Sequence, residues 1–341
     1  MFFYSSLFST EEFHKGIYMT SWVAGSQKGT ELLKKVKENN LDAIVIDMKD
    51  ATGYVVYDSD LDFVDTLGSE EIRIKDKKLE DILNYCKTND IRAIARIVVA
   101  KDPVLTKYDN HKFAVFDKST NKPSDWADLF SFEVQDYNID IATELVEKGF
   151  DEINFDYLRF PDKREVRNPF YPFRNKFNNR NNTKLYQAIE LFLKKAKAVI
   201  DADISIDVYA YTLWGSKKRH LNENFNNIGQ VIEHIMDNVD YIYPMIYPSH
   251  FSKSDRNKID ARYAGAEEYD VVYEACKNGL RRVKGSNAQI VPWIQGFWCD
   301  DTYIMNEIKA INDSGISGFL IWNSKNKYEE SWKALRKLEK K

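Results

Sequence analysis

The sequence predicts an α/β protein, specifically a (β/α)8 TIM barrel with long loops after its third and fourth strands. Strand-like and helix-like segments alternate eight times along the chain. The strands are mostly continuous apolar runs, which is typical of a parallel sheet buried on both faces. The length of 341 residues fits, because such barrels take about 250 residues and more with insertions. We expect an N-terminal extension over 1–15 and a single domain over 16–341, since no Pro-, Gly- or Ser-rich linker divides the chain.

Each strand is predicted from an apolar run and each helix from apolar residues at helical spacing. The predicted strands are 16–22, 43–50, 91–99, 151–161, 204–211, 241–248, 290–298 and 318–324. The predicted helices are 31–40, 79–89, 134–148, 184–200, 228–238, 267–284, 302–313 and 331–340. Thr30 and Thr183 are expected to cap the first and fourth of these helices. A small hairpin is expected over 52–57, above the second strand.

Two segments, 101–130 and 162–182, are predicted to be long loops. Loops of this length are usually lids or binding segments. The second loop is rich in Lys and Arg with interleaved aromatic residues. Such a loop is usually a solvated insertion, and contact with anionic substituents of a substrate is the alternative.

The fourth strand has an unusually polar face. Asn154 and Asp156 alternate with the apolar residues Ile153, Phe155 and Tyr157. Polar side chains on a buried strand are costly unless they are hydrogen-bonded or used. Asp156 stands at the carboxyl end of its strand, where TIM barrels place their catalytic groups. A structural turn cap is the alternative role for Asp156.

Composition excludes several classes of partner and cofactor. The net charge of −4 gives no general attraction to nucleic acid or anionic lipid. Three widely spaced cysteines and five scattered histidines predict neither a disulfide framework nor a zinc site. Clustered aspartates could hold Mg²⁺ or Ca²⁺, but no recognisable ligand spacing is present, so we expect no metal and no cofactor.

Targeting signals are weak in this sequence. No apolar run is long enough to span a membrane. The first eight residues lack the basic region and cleavage site of a signal peptide. We therefore expect a cytoplasmic protein, or one whose export signal has been lost. The sequence pattern leaves the oligomeric state unspecified.

Polar and aromatic residues are concentrated at the strand ends, which suits a sugar ligand. Aromatic faces stack on the C–H faces of a pyranose, and carboxylates bind its hydroxyls and transfer protons. We therefore expect a carbohydrate partner. The predicted substrate-binding residues are Asp47, Asp50, Arg96, Asn154, Tyr157, Arg159, Tyr209, Tyr247, Trp293, Gln295 and Trp322.

Asp156 and Asp207 are the predicted catalytic pair. They follow adjacent strands, and the alternation of side chains directs both into the barrel. Neighbouring strands lie about 4.8 Å apart, which suits the roughly 5 Å separation of carboxyl groups in a retaining glycosidase. Asp156 would be the nucleophile, kept ionised by Arg159 or Arg96. Asp207 would be the proton donor, its pKa raised by Asp156 and nearby aromatic residues.

Several of these residues also have structural interpretations. Asp207 is explained equally well by a structural hydrogen bond. Asp47 and Asp50 flank Lys49 and could form a local salt-bridged turn. Arg159 is out of phase with the inward residues, so an ion pair on the rim is its alternative role.

Several motifs resemble, in order and over most of the chain, the glycoside-hydrolase-like family catalogued as DUF4015. The matching segments are 16–18, 43–50 with Gly53, 136–140, 149–161, 206–208, 243–250, 292–297 and 318–323. The resemblance implies a TIM barrel related to glycosidases, usually found in exported or membrane-anchored bacterial proteins. It does not supply the catalytic residues.

Two more distant resemblances concern the fourth strand. Residues 151–158 are similar to the DxxDxDxE strand of chitinases, but Asn154 and Leu158 replace an Asp and the acidic Glu. The segment is closer to amylase-like barrels, which place a nucleophilic Asp here and a Glu on the fifth strand, where this chain has Asp207. We therefore predict an O-glycosyl hydrolase. A non-catalytic carbohydrate-binding barrel and a barrel enzyme of other chemistry, such as a lyase, are the alternatives.

Overall fold

The computed structural model describes residues 14–177, 183–214, 227–257, 259, 262 and 266–340. Most of the expected N-terminal extension, residues 1–13, lies outside the described residues. Residues 178–182, which end the predicted basic loop, lie outside them as well.

Eight parallel strand positions form a closed barrel, which confirms the predicted TIM barrel. The strands are Lys15–Met19, Ala43–Lys49, Arg92–Val98, Glu152–Asp156, Asp203–Tyr209, Tyr241–Met245, the split pair Gln289–Ile290 and Trp293–Gln295, and Phe319–Trp322. The first strand pairs with the second and the eighth, and the fifth pairs with the sixth, so the sheet closes. Pro292 has no backbone N–H, and the seventh strand is interrupted there.

Helices connect the strands and cover the outside of the barrel. The longer helices are Gln27–Glu38, Asp76–Thr88, Phe132–Glu147, Leu185–Val199, Glu267–Arg282, Asp301–Ser314 and Glu329–Glu339. Short helices are Ser21–Ala24, Asp62–Leu67, Tyr108–His111, Ile232–Ile235 and Lys253–Arg256. Three-residue or four-residue 3₁₀ turns lie at Leu105–Lys107, Ala210–Leu213 and Pro248–His250.

The helix ends differ from the predictions in three places. Thr30 lies inside its helix, whose N-cap is Ser26, and Thr183 precedes the true N-cap, Lys184. The helix predicted over 228–238 is a single turn, Ile232–Ile235. Its first residues cannot be helical because Gly229 has a left-handed φ of 81°.

The predicted loops are more ordered than expected. The segment 101–130 contains a hairpin of Ala114–Asp117 with Lys122–Ala127, turned at Asn121 with its left-handed φ of 55°. Pro169–Phe170 from the second loop adds a third strand to this hairpin. The expected hairpin over 52–57 is absent, because Val55 instead bridges Lys49 and Glu70.

The core has two parts, one inside the barrel and one between the barrel and its helices. The inner part includes Tyr18, Val45, Tyr243, Trp293 and Leu320. The outer part contains the alternate residues of the same strands, such as Ile153 and Phe155 on the fourth. Side chains two residues apart on a strand share a face, so the inner layers end at the polar residues of the carboxyl-terminal mouth.

Candidate active site

Strand register brings the predicted acidic residues together. Asn154 pairs with Arg96 on the third strand and with Ser205 on the fifth. Asp156 and Asp207 lie two residues further along their strands, so both side chains face the barrel interior at one level. Both line a pocket of about 590 Å³ at the carboxyl ends of the strands.

The buried guanidinium of Arg96 connects three carboxylates. Its Nε lies 3.1 Å from Oδ2 of Asp156 and 4.0 Å from Oδ2 of Asp207, and its Nη1 donates a hydrogen bond to Asp47. Because both distances start at the same nitrogen, the Asp156 and Asp207 oxygens lie within about 7 Å of each other. Burial acts to lower the pKa of Arg96, but Asp156 and Asp47 outweigh it and raise that pKa, so the guanidinium stays charged.

Asp156 is held at both oxygens. Arg96 binds Oδ2, while Oδ1 accepts a hydrogen bond of 2.6 Å from the backbone N–H of Tyr157. Tyr157 has a left-handed φ of 52°, which turns the chain sharply at the end of the strand. The sequence predicts Tyr157 as part of the strand, but the strand ends at Asp156. These contacts fix the position of the Asp156 carboxyl group in the pocket lining.

Asp207 is buried, and its environment differs from that of Asp156. Its Oδ1 accepts hydrogen bonds from Nδ2 of Asn154 at 3.1 Å and from Nε1 of Trp293 at 2.8 Å. Burial raises the pKa of Asp207 well above its ordinary value, and the charge of Asp156 raises it further, against the opposing effect of Arg96. The carboxyl group of Asp207 is therefore protonated at higher pH than that of an exposed aspartate.

Asp47 pairs with Arg96 across the second and third strands and does not line the pocket. It accepts hydrogen bonds from Arg96 and from the hydroxyl of Tyr18, and burial raises its pKa. Tyr18 in turn stacks on Trp322, with ring centroids 4.0 Å apart. Sequence reasoning missed Tyr18, although its inward position on the first strand was available as a signal.

Aromatic side chains form much of the pocket wall. Of the predicted residues, Tyr157, Tyr209, Tyr247 and Trp322 line it. The sequence-based site omitted several further lining residues: Arg164, Ala210, Tyr211, Met245, His250 and Phe251. Most of these follow the fifth and sixth strands, in segments whose loop conformation decides which side chains reach the pocket.

Arg159 lines the pocket but does not bind Asp156. Its guanidinium donates to both oxygens of Glu165, at 2.8 and 2.9 Å. It also lies over the rings of Trp126 and Tyr209, 4.5 and 4.7 Å from their centroids. Of the two arginines expected to keep Asp156 ionised, Arg96 is the one in contact with it, and Arg159 forms the alternative rim ion pair.

Besides Asp47, four predicted site residues lie outside the pocket lining: Asp50, Asn154, Trp293 and Gln295. Asp50 pairs with Arg73, and Lys49 pairs with Asp102 at 2.7 Å, so the acids flanking Lys49 do not form a local turn with it. Asn154 and Trp293 lie behind Asp207 as its hydrogen-bond donors. Gln295 joins two loops, accepting from the backbone N–H of Ser249 at 3.2 Å and donating to the carbonyl of Phe297 at 2.8 Å.

No cluster of three or more His, Cys, Asp or Glu residues suited to a metal ion occurs within the described residues. No helix in the described ranges is long and apolar enough to cross a membrane.

A family model described as "DUF4015: Putative glycosyl hydrolase domain" matches residues 16–328. No curated protein matches the chain in sequence.

Solved structures of similar fold come from several bacteria. The chain is 12% identical to a class V chitininase from Pseudomonas fluorescens Pf-5, with a TM-score of 0.57 over 94% of this chain and 98% of that one. An endo-1,4-beta-D-mannanase from Thermotoga petrophila RKU-1 is 11% identical, with a TM-score of 0.59 over 96% and 99%. The spore cortex-lytic enzyme SleL from Bacillus megaterium QM B1551 is 11% identical, with a TM-score of 0.53 over 96% and 75%. These similarities establish a shared TIM-barrel fold.

Proposed function

We propose that this chain, which belongs to the DUF4015 family of glycosyl hydrolase domains, cleaves an oligo- or polysaccharide with retention of anomeric configuration. The observation that carries the proposal is the pair of carboxyl groups at one pocket, with Asp156 bound to Arg96 and Asp207 buried with a raised pKa. Two carboxyl groups in opposite protonation states are what glycoside cleavage requires.

In the first step, the Asp156 carboxylate attacks the anomeric carbon. A glycosyl ester forms as the bond from the anomeric carbon to the leaving oxygen breaks. Asp207 donates its proton to that oxygen, so the leaving group departs as a neutral alcohol. Before the attack, Arg96 donates a hydrogen bond to Oδ2 of Asp156. Arg96 stabilises the Asp156 carboxylate again when the ester is cleaved.

In the second step, a water molecule attacks the anomeric carbon of the ester. Asp207, now ionised, accepts a proton from that water, and the ester bond breaks to release Asp156 as a carboxylate. Two displacements at one carbon restore its original configuration. The separation of at most about 7 Å between the facing oxygens supports a direct attack, for which retaining enzymes use about 5 to 5.5 Å.

The proposal is tested on a panel of chitin oligosaccharides, β-1,4-mannan oligosaccharides and spore-cortex peptidoglycan fragments, chosen from the activities that name the structural neighbours. We expect Asp156→Asn to lower turnover of the cleaved glycan by at least about 10³-fold. Asp50→Asn is the matched control, because Asp50 is an aspartate just beyond the second strand that pairs with Arg73 outside the pocket.

Product stereochemistry and binding separate the alternatives. Proton NMR of the first product should show the anomer of the substrate, and an inverted anomer would contradict the retaining mechanism. Unchanged turnover in Asp156→Asn would contradict the nucleophile assignment. If the wild-type protein binds a panel glycan but cleaves none of them, the chain is the non-catalytic carbohydrate-binding barrel instead.

A further inference from the structure

A second pocket adjoins the first at the ends of the seventh and eighth strands. Its volume is about 440 Å³, and its lining includes Phe297, Trp298 and Asn323. His250 and Trp322 line both pockets. The two pockets therefore meet at these two shared side chains.

Trp298 is displayed at the edge of this second pocket in an unfavourable conformation. Its side chain is 83% exposed, more than any other large apolar side chain among the described residues. Its φ of 54° is left-handed, which bulky residues rarely adopt. An exposed tryptophan forgoes the stabilisation of hydrophobic burial, and its left-handed backbone adds conformational strain. Strained backbone conformations are concentrated at ligand-binding and active sites.

The loop that carries Trp298 is fixed by buried side chains. Gln295 donates to the carbonyl of Phe297 at 2.8 Å, and Asn323 donates to the carbonyls of Gly296 and Lys327. A Cβ on Gly296 would lie 2.6 Å from Cγ2 of Ile321, so only glycine permits this close approach. The loop is therefore set before any ligand arrives, which lowers the entropic cost of binding.

The ring of Phe297 supports the exposed indole. It meets Trp298 edge to face at 5.2 Å and Tyr247, which lines the first pocket, at 5.5 Å. Ser324, Lys325 and Lys327 add polar groups to the lining of the same pocket. A flat apolar face bordered by hydrogen-bonding groups matches a pyranose ring, which has C–H faces and a hydroxyl rim.

We propose that Trp298 forms a second sugar-binding subsite, which makes the protein select chains of several sugars rather than single glycosides. The proposal rests on the proposed function, since the chain would run from Asp156 and Asp207 across Trp322 and His250 to Trp298. It gives Gln295 a positioning role under the loop, in place of direct contact with substrate.

The test measures binding of panel oligosaccharides of two to six sugars by calorimetry, in an Asp156→Asn background that prevents cleavage. We expect affinity to rise with chain length. Trp298→Ala should weaken binding of the longest chain about tenfold and leave the disaccharide unchanged, while Trp298→Tyr should retain most of the affinity. Trp22→Ala is the matched control, since Trp22 is a 64% exposed tryptophan outside both pockets, with Arg73 over its ring.

Three other outcomes would contradict the proposed subsite. Equal loss for short and long chains, no loss at all, or the same loss in Trp22→Ala would remove the role of Trp298, provided that circular dichroism shows a folded variant. Cleavage of panel glycans by the wild-type protein would still stand in those cases, so the proposed function would be unaffected. If no panel glycan is bound or cut, both proposals fail.

Discussion

Asp207→Asn should change how the stability of the protein depends on pH. The substitution is nearly isosteric, and its amide oxygen can still accept the hydrogen bonds from Asn154 and Trp293. The substitution removes the titrating proton, which the folded and unfolded states bind with different affinities. Because burial raises the pKa of Asp207, the folded protein binds this proton more tightly than the unfolded chain does.

The sign and size of the effect follow from that difference. The stabilisation due to the Asp207 proton is fully present below the unfolded-chain pKa of about 4, and it is lost as pH rises through the folded-state pKa. Between those two values the folded state holds one more proton than the unfolded state. The free energy of unfolding of the wild type, relative to Asp207→Asn, should therefore fall by about 1.4 kcal/mol per pH unit.

Urea denaturation of both proteins at half-unit steps from pH 4 upward measures this difference. Asp301→Asn is the control, because the hydrogen bond from Lys337 lowers the pKa of Asp301. That carboxylate is ionised in both states above about pH 5, so its variant should run parallel to the wild type there. A parallel curve for Asp207→Asn would refute the raised pKa, and with it the assignment of Asp207 as proton donor.

Three further perturbations test buried charged groups, two of them beside the catalytic pair. Arg96→Met leaves Asp47 and Asp156 buried without their cation, and we expect it to lower the free energy of unfolding by about 3 to 5 kcal/mol; an unchanged urea midpoint would contradict this. Trp293→Phe removes a donor to Asp207, so the basic limb of the pH–activity profile should move to higher pH, and a shift to lower pH would contradict the argument. Burial raises the pKa of Asp128 to about 7; the stability of the wild type relative to Asp128→Asn should fall between about pH 4 and pH 7 and then level off, whereas a flat difference would count against it.

The barrel could be predicted because its strands carry their own signal. Continuous apolar runs with short flanking helices specify buried parallel strands locally, and closure follows from their number and order. The convergence of Asp156 and Asp207 at one pocket was predictable for the same reason, since side-chain alternation is strict along a strand. The split at Pro292 was not anticipated because the run looks continuous in the sequence.

Features that depend on distant partners could not be predicted. The strand Pro169–Phe170 pairs with Ala114–Asp117 across about fifty residues of sequence, and neither segment has a strong strand pattern alone. The choice between Arg96 and Arg159 depends on where Glu165 lies, which is a property of the folded loop. Trp298 is one of several aromatic residues at strand ends, and only its backbone conformation and exposure distinguish it.

Trapping the glycosyl ester would probe the role of Asp156 most directly. The wild-type protein is incubated with a 2-deoxy-2-fluoro glycoside of whichever panel sugar it cleaves, and the modified peptide is identified by mass spectrometry. We predict one adduct, on Asp156, and none in Asp156→Asn. Continued turnover of that sugar with inversion and no adduct, or an adduct on a different carboxylate, would contradict the proposed mechanism.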